Sequence, residues 1–555
     1  MTHEPEWARL IGGAGTGKTT ELKRVMEAAL PLLGGDPMRL GFATFTRRGR
    51  AEVVARVSAS WNVPPASLEG EGWFRTIHST AKRCLKVSSS QLIADKAGDL
   101  EWLSEAFGVK LSTTVDDDSG SQKYIGDPDV AAALNCWGLA RSCLVPLDGV
   151  IRRQRMLDDT VPHLDRIVRL IRHYETAKRT DNRVDFTDLL LRFTGLRLDP
   201  EAGVYSVTPE GDLPAVDAWL FDEQQDASPL LDAACKRLVS APTVRWGYLV
   251  GDPFQAIYGF AGSSSDCFLG WPVKKERTMP KSYRCPRPIL ELGERCLQRM
   301  ARGYFDRQIA PADHDGEVTE VSGVDDAVAA VNPSDDWLLI ARTNYHAATI
   351  LAALNAANKP CRWVKSPEGA SAKGEGLAAL FSLENNGHVT GQQWARALPL
   401  LPLIDKAGRK LLTRGTKTSW GERHADRYDV LFADDLASLG GATAELVEDI
   451  RSGRWVSHVD DGERWRKRAV KHGVKLATEP RVRVGTIHSV KGAEADHVAF
   501  LTTTTKRIMD QSSDSQAVAD EEHRVAYVAV TRARRTLTVI NESRGGRKIN
   551  SMEVL

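Results

Sequence analysis

Gly12-Gly13-Ala14-Gly15-Thr16-Gly17-Lys18-Thr19 fills every fixed position of the pattern G-x-x-x-x-G-K-[ST], and its reading decides the fold class. Trp7, Leu10 and Ile11 precede it as a short apolar run, and residues 20–33 follow largely free of Pro and Gly. Strand, loop and helix thus stand in the order that a phosphate cradle requires. Glycines let successive backbone N–H groups turn toward a polyphosphate, and the helix N-terminus adds partial positive charge. Lys18 is placed to reach β- and γ-phosphates, and the Thr19 hydroxyl to take one position on Mg2+. A Gly-rich turn that merely caps a helix has no need of Lys-Thr in this frame.

Around that stretch lie 555 residues, too many for one hydrophobic core, so roughly three to four domains are expected. Hydrophobic content of 42% and charged content of 26% are those of a globular protein. With 74 Lys+Arg against 73 Asp+Glu, any nucleic-acid surface is local. The eight cysteines form no C-x-x-C pair and no Cys/His cluster, which points to reduced thiols and no zinc or iron–sulfur site. The polar start Met1-Thr2-His3-Glu4-Pro5-Glu6 lacks a signal-peptide apolar region and no 18-residue apolar run follows, so a cytoplasmic protein without a membrane association is expected.

Further along, Leu40-Gly41-Phe42-Ala43-Thr44-Phe45-Thr46 reads as a second parallel strand that runs into Arg47-Arg48 and a helix. An aromatic, a Thr and two Arg at a strand end offer a stacking ring and phosphate donors, although an Arg-rich helix start is more often a solvated face. Gly72-Trp73-Phe74-Arg75-Thr76-Ile77-His78-Ser79 repeats the arrangement. From 81 to 180 the pattern is mostly helical, broken by Asp116-Asp117-Asp118-Ser119-Gly120, and basic in its second half. Ala218-Trp219-Leu220-Phe221-Asp222-Glu223 is a buried-strand pattern ending in two carboxylates, with Asp222 placed to hold Mg2+ and Glu223 to accept a proton from an attacking water. A third strand end, Val250-Gly251-Asp252-Pro253-Phe254-Gln255, precedes Tyr258 and Phe260; Gln255 is placed to sense a γ-phosphate, and the two rings either stack on bases or pack in the core. Arg464-Trp465-Arg466-Lys467-Arg468 is the sharpest basic–aromatic cluster, read equally well as nucleic-acid contact or as a solvated helix face.

Taken in order, GGAGTGKTT, ATFTRR, TIHS, DFTDLL, FDEQQDAS, VGDPFQAIYGF, KSYRCP, ARTN, GTIHSVKGAEADHV and EEHRVAYVAVTRA run from Gly12 to Ala533. Each is weak alone, but ten in sequence make the chain resemble the UvrD/Rep/PcrA type of superfamily 1 helicases over nearly its whole length. The resemblance implies an α/β fold of two RecA-like parallel-sheet cores, each with a mainly helical insertion, ATP between the cores and single-stranded DNA across them. The first core is expected at 1–80 and 181–270 with 81–180 inserted, the second at 271–364 and 471–555 with 365–470 inserted. Residues 337–341, 483–486, 498–501 and 537–540 read as strands of the second sheet.

By the same resemblance, nucleotide contacts fall to Gly12, Gly13, Ala14, Gly15, Thr16, Gly17, Lys18, Thr19 and Thr20, with Tyr283 stacking on adenine and Glu494 on the ribose. Arg284 and Arg532 are the expected arginine fingers from the second core, offsetting charge on the transferred phosphoryl group beside Lys18, Glu223 and Gln255. Thr19 and Asp222 are the expected Mg2+ ligands; Phe45, Thr46, His78, Tyr258, Phe260, Arg342, Asn344, Thr486 and His488 are the expected DNA contacts. The chain departs from the family in three places. Residues 1–10 contain no adenine-reading Gln, Thr20 stands where an Arg often follows the loop, and Phe260-Ala261 replaces Trp-Arg. The second insertion is short for the family. The implied activity is ATP-dependent 3′→5′ movement on single-stranded DNA with strand separation at single-strand/duplex junctions, alongside a replication or repair protein partner. A translocase that strips proteins from DNA, or an RNA-directed motor, are the alternatives.

Overall fold

The computed structural model describes residues 5–94, 97–115, 122–157, 160–364, 371–418, 420, 430–544, 547–548, 552 and 554. Two six-stranded sheets carry it. The first contains β1 (Glu6–Ile11), β2 (Leu40–Thr44), β3 (Trp73–Thr76), β4 (Ala218–Phe221), β5 (Trp246–Gly251) and β6 (Lys275–Thr278), in the spatial order β6-β1-β5-β4-β2-β3. Every pair in it is parallel. Strand alternation sorts its side chains onto two apolar layers. Trp7, Ile11, Trp219, Phe221 and Leu249 pack with Leu190, Leu230 and Leu238 on one face. Leu10, Phe42, Ala218, Leu220 and Val250 pack with Leu22, Met26, Val53 and Val57 on the other. With both faces covered, all four residues of β4 are buried, which is why the approach to Asp222 reads as an unbroken apolar run.

The second sheet contains β7 (Glu317–Val321), β8 (Trp337–Ala341), β9 (Cys361–Trp363), β10 (Val482–Thr486), β11 (Ala495–Leu501) and β12 (Ala533–Ile540), ordered β7-β12-β11-β8-β10-β9. β8 runs parallel to both β10 and β11, and β9 parallel to β10. The α/β class with two parallel-sheet cores expected from the sequence is thus the class observed.

Contacts divide the chain into two compact units, one of Met1–Glu317, Thr505–Arg535 and Met552–Leu555, the other of Val318–Thr504 and Thr536–Ser551. The boundary expected at 270 falls short, because β6 lies beyond it and completes the first sheet against β1. Residues 271–317 and 505–535, expected with the second core, pack with the unit that holds the phosphate loop.

Within the first unit, the stretch expected as a helical insertion builds Ala97–Phe107, Pro128–Cys143, Leu147–Leu157 and Leu164–Thr180 around a core of its own that includes Leu103, Trp137, Ile151, Ile167 and Ile171. It also carries an antiparallel hairpin, Leu111–Val115 with Gln122–Gly126; the acidic loop between these strands lies outside the described residues. A buried ionic group fastens the insertion to the returning helix Phe186–Thr194. Arg141 Nη2 meets Asp185 Oδ2 at 2.8 Å, and Lys178 Nζ meets Asp188 Oδ2 at 2.6 Å. Burial and the neighbouring Asp185 push the Asp188 carboxyl up to about 6. Burial acts on Asp185 too, but Arg141 and Lys178 outweigh it and hold that carboxyl well below its usual range.

In the second unit, Ala372–Glu384, Gly391–Ala397, Ala444–Arg451 and Gly462–His472 enclose Trp394, Trp455 and Trp465. The basic–aromatic cluster therefore belongs to a packed helix: Trp465 is core, Arg466 Nε donates to Glu384 Oε1 at 2.7 Å, and Arg468 Nη2 donates to Asn355 Oδ1 at 2.5 Å. Lys467 and Arg464 pair with Glu463 and Asp461 at 3.2 Å each. Among the described residues no helix is long and apolar enough to cross a membrane.

Candidate functional site

β1, flanked by β6 and β5 in the first sheet, ends at Ile11, and the loop that follows enters the helix Lys18–Ala29. Gly12 N donates to Gly251 O at 2.9 Å, so the loop leaves the sheet beside the end of β5. Gly15 has φ 67° and Gly17 φ 83°, the left-handed region in which a side chain is strained. A Cβ on Gly15 would also collide with Arg284 Cβ. Lys18 Nζ lies over the loop, donating to Gly12 O at 3.0 Å and Gly13 O at 3.3 Å, and the Thr16 hydroxyl donates to Gly13 O at 3.0 Å. The loop is thus a preformed ring of backbone with an ammonium at its centre, at a helix N-terminus. Thr19 and Thr20 lie in the first turn of that helix.

Two further strand ends adjoin it, since β5 pairs with β1 on one side and with β4 on the other. At the end of β4 Asp222 is buried; burial first, then Glu223, push its carboxyl up to about 7, while Lys18 opposes the rise. Glu223 has φ 56°. A non-glycine residue held there costs on the order of 1–3 kcal/mol, and such strain clusters at functional sites. Gln225, wholly buried, donates from Nε2 to Glu223 Oε2 at 2.5 Å and accepts from Asp252 N at 3.0 Å. At the end of β5, Gln255 Nε2 donates to Asp252 Oδ2 at 2.8 Å. Two adjacent carboxylates, one of them buried and opposed by a single lysine, fit a hard divalent cation shared with phosphate oxygens, with the Thr19 hydroxyl as a further oxygen donor.

Lys281-Ser282-Tyr283-Arg284 lies directly against the loop: Ser282 Oγ donates to Ala14 O and Tyr283 N donates to Gly15 O, both at 2.8 Å. The Tyr283 ring is 70% exposed, has Lys281 Nζ 6.0 Å from its centroid, and passes 3.9 Å from where a Gly17 Cβ would stand, which puts an exposed aromatic ring next to the loop. Arg284 Nη1 donates to Thr531 O at 3.3 Å, and Arg532, which follows, is buried with Nε donating to Val528 O at 2.8 Å. The structure therefore brings Lys18, Asp222, Glu223, Gln255, Tyr283, Arg284 and Arg532 into one unit. Glu494 lies in the other, its backbone O accepting from Arg483 Nη2 at 2.8 Å.

The residues expected to face DNA fall into two groups. In the first unit Phe45 is packed at the margin of the core, and Thr46 caps the helix Arg47–Trp61 by accepting from Gly49 N at 3.0 Å. The His78 ring sits edge-on to Phe186, and burial holds its imidazole down to about 4, so it is neutral. Tyr258 and Phe260 are half-buried, edge-to-face at 5.9 Å, and burial and the Asp226 and Glu223 carboxylates push the Tyr258 phenol up. In the second unit Ala341 and Thr486 are register partners, so Arg342 and Asn344 just beyond β8 follow the same sheet edge as Thr486, the last residue of β10, and His488 just beyond it. Next to them Tyr345, which the sequence reading passed over, is 70% exposed and braced against the His346 ring at 5.3 Å.

Sequence reasoning also missed Asp252, Arg307 and Tyr527. Arg307 Nη1 reaches Asp252 Oδ1 at 2.8 Å, and the Tyr527 hydroxyl touches both Asp252 and Ala14. Their only local signal is a polar residue inside an apolar run, as in Val525-Ala526-Tyr527-Val528.

Residues 2–272 match the UvrD/REP helicase N-terminal domain and residues 469–544 the UvrD-like helicase C-terminal domain. Across 95% of the chain it is 23% identical to Bacillus subtilis YjcD, provisionally named an ATP-dependent DNA helicase, covering 76% of that protein. It is 24% identical to the ATP-dependent DNA helicase UvrD1 of Mycobacterium leprae over 54% of the chain, and 27% identical to the ATP-dependent DNA helicase srs2 of Schizosaccharomyces pombe over 52%. The chain spans only 38% and 32% of those two relatives' own length. With the domain matches falling on both sheets and the ordered motifs on their strand ends, the chain belongs to the UvrD/Rep-type family of superfamily 1 helicases, ATP-hydrolysing enzymes that act on DNA.

Proposed function

We propose that the chain is an ATP-driven motor that moves 3′→5′ on single-stranded DNA and separates duplex at the junction it meets. The observation that carries this reading is the convergence, in one unit, of a phosphate loop, two strand-end carboxylates, a third strand-end amide and two arginines. Lys18 offsets charge on the β/γ oxygens, Glu223 takes the proton of the attacking water, and Arg284 and Arg532 meet the charge that develops during transfer. Thr19 and Asp222 would hold Mg2+, which supplies further charge neutralisation at the phosphates. Phe45, Tyr258 and Phe260 in the first unit, and Arg342, Asn344, Thr486 and His488 in the second, grip the strand by stacking and phosphate contacts, each stack being worth ~1–3 kcal/mol. In this reading each sheet is a motor core carrying an insertion, the first core taking in β6 and the segments 271–317 and 505–535 that pack with it.

A strand-separation assay on DNA and RNA duplexes bearing 3′ or 5′ tails tests the reading. ATP-dependent unwinding of the 3′-tailed DNA substrate is expected. Unwinding only from 5′ tails would overturn the polarity, a preference for RNA the substrate, and ATP turnover without unwinding would favour a protein-stripping translocase.

A further inference from the structure

Tyr527 is a wholly buried tyrosine in the helix Gln516–Val530, surrounded in sequence by residues that are themselves buried and apolar. A phenol hydroxyl in such a place is costly unless it is bonded on both sides. It is: Ala14 N, in the phosphate loop, donates to Tyr527 Oη at 3.1 Å, and Oη donates to Asp252 Oδ2 at 3.3 Å. The direction is fixed by chemistry, because a backbone N–H only donates and a carboxylate only accepts. Burial raises the phenol's pKa, so the proton stays on Oη. Asp252 Oδ2 also accepts from Gln255 Nε2 at 2.8 Å, while Oδ1 accepts from Phe254 N at 3.1 Å and Arg307 Nη1 at 2.8 Å. Arg307 is fixed in turn by Glu294, whose Oε1 accepts from Nη2 at 2.5 Å, and stacks its guanidinium over the Phe254 and Tyr527 rings. One carboxylate oxygen therefore accepts from both the Tyr527 hydroxyl, which in turn accepts from the loop, and the amide of Gln255. The helix that supplies Tyr527 also reaches the turn that carries the stacking rings, with Glu521 Oε1 accepting from Gly259 N at 2.9 Å and Arg524 Nε donating to Ala256 O at 3.0 Å.

We propose that Tyr527 is a positioning residue for hydrolysis: its hydroxyl, acting through Asp252, holds the Gln255 amide in register with the phosphate loop. The proposal rests on the reading of Gln255 as the group that senses the terminal phosphate. Phenylalanine fills the same space and removes only the hydroxyl, which isolates the function of that one atom.

The test is steady-state ATPase of the full chain on saturating single-stranded DNA, with thermal midpoint and DNA affinity measured in parallel. Tyr527→Phe should lower kcat on the order of tenfold, the scale of one lost hydrogen bond to a charged group, with KM for ATP and DNA affinity within about twofold of the parent. In a Gln255→Ala background the same change should cost nothing further, because the two act as one unit. A lowered midpoint with unchanged kcat, or losses that multiply in the double variant, would overturn the proposal and leave the site reading standing. Full kcat in Gln255→Ala, or no ATPase in the parent, would overturn the site reading and the proposal with it. Should Tyr527→Phe fail to fold, Asp252→Asn serves in its place, with the same loss in kcat alone expected and its absence counting against the proposal.

Discussion

Glu223 stands at the end of β4 in a backbone conformation its side chain disfavours, held there by Gln225. That strain is tolerated because the neighbouring polar groups over-determine it. Glu223→Gln keeps the shape and the bond to Gln225 but cannot take a proton, so nucleotide and DNA binding should persist while turnover falls at least ~100-fold in a DNA-stimulated ATPase assay. His78 yields a pH prediction. Its folded pKa of about 4 lies below the value of 6.5 in the unfolded chain, so as pH falls from 6.5 toward 4 the unfolded state takes up a proton that the folded state does not. Stability should therefore fall over that window, by about 1–2 kcal/mol at pH 5 once its partial exposure is allowed for. Denaturant midpoints at pH 7 and pH 5 should converge in His78→Gln relative to the parent. At this scale the sequence was informative wherever chemistry demands neighbours in the chain, as in Gly12 to Thr19 or Asp222-Glu223. Asp252, Arg307 and Tyr527 were illegible as a group because their hydrogen bonds join residues far apart in sequence.

The ionic group of Arg141, Lys178, Asp185 and Asp188 works at the level of elements, joining two helices of the first insertion to the helix that returns to the core. Removing one partner from such a buried group costs about 3–5 kcal/mol, because the rest stay buried without compensation. Lys178→Met should thus loosen the insertion, seen as faster amide exchange in Pro128–Cys143. Since Asp188 takes up a proton near 6 even with Lys178 present, the loss should be smaller at pH 5.5 than at pH 8. The helical pattern of this insertion was readable from spacing, whereas its hairpin, two five-residue strands flanking a polar loop, left too short a period-two signal. Composition alone could not resolve residues 464–468. A helix with cations on its outer face looks the same in sequence whether a phosphate or a neighbouring carboxylate meets them, and here Glu384, Asp461 and Glu463 do.

For the whole molecule, the motif order foretold two parallel sheets, but not that residues 505–535 would close the unit begun at the N-terminus. Pattern reading assigns a segment to the strand it feeds, and this one feeds β12, while its contacts are made elsewhere. The bond from Ala14 N to Tyr527 spans 513 residues. A ribosome adds ~5–20 residues per second, so the phosphate loop waits roughly half a minute to two minutes after its own synthesis before its partner exists. During that interval the first sheet can assemble, since all six of its strands precede residue 279, but its nucleotide loop lacks the support of Tyr527. Stalled nascent chains should therefore resist cleavage within β1 to β6 early and within the loop only after Tyr527 has cleared the ribosome, as read by pulse proteolysis at increasing chain lengths. Equal early protection of the loop would contradict this order. Vectorial synthesis thus sets the sequence of events: the newborn chain owns a folded sheet well before its phosphate loop gains the hydroxyl that braces it.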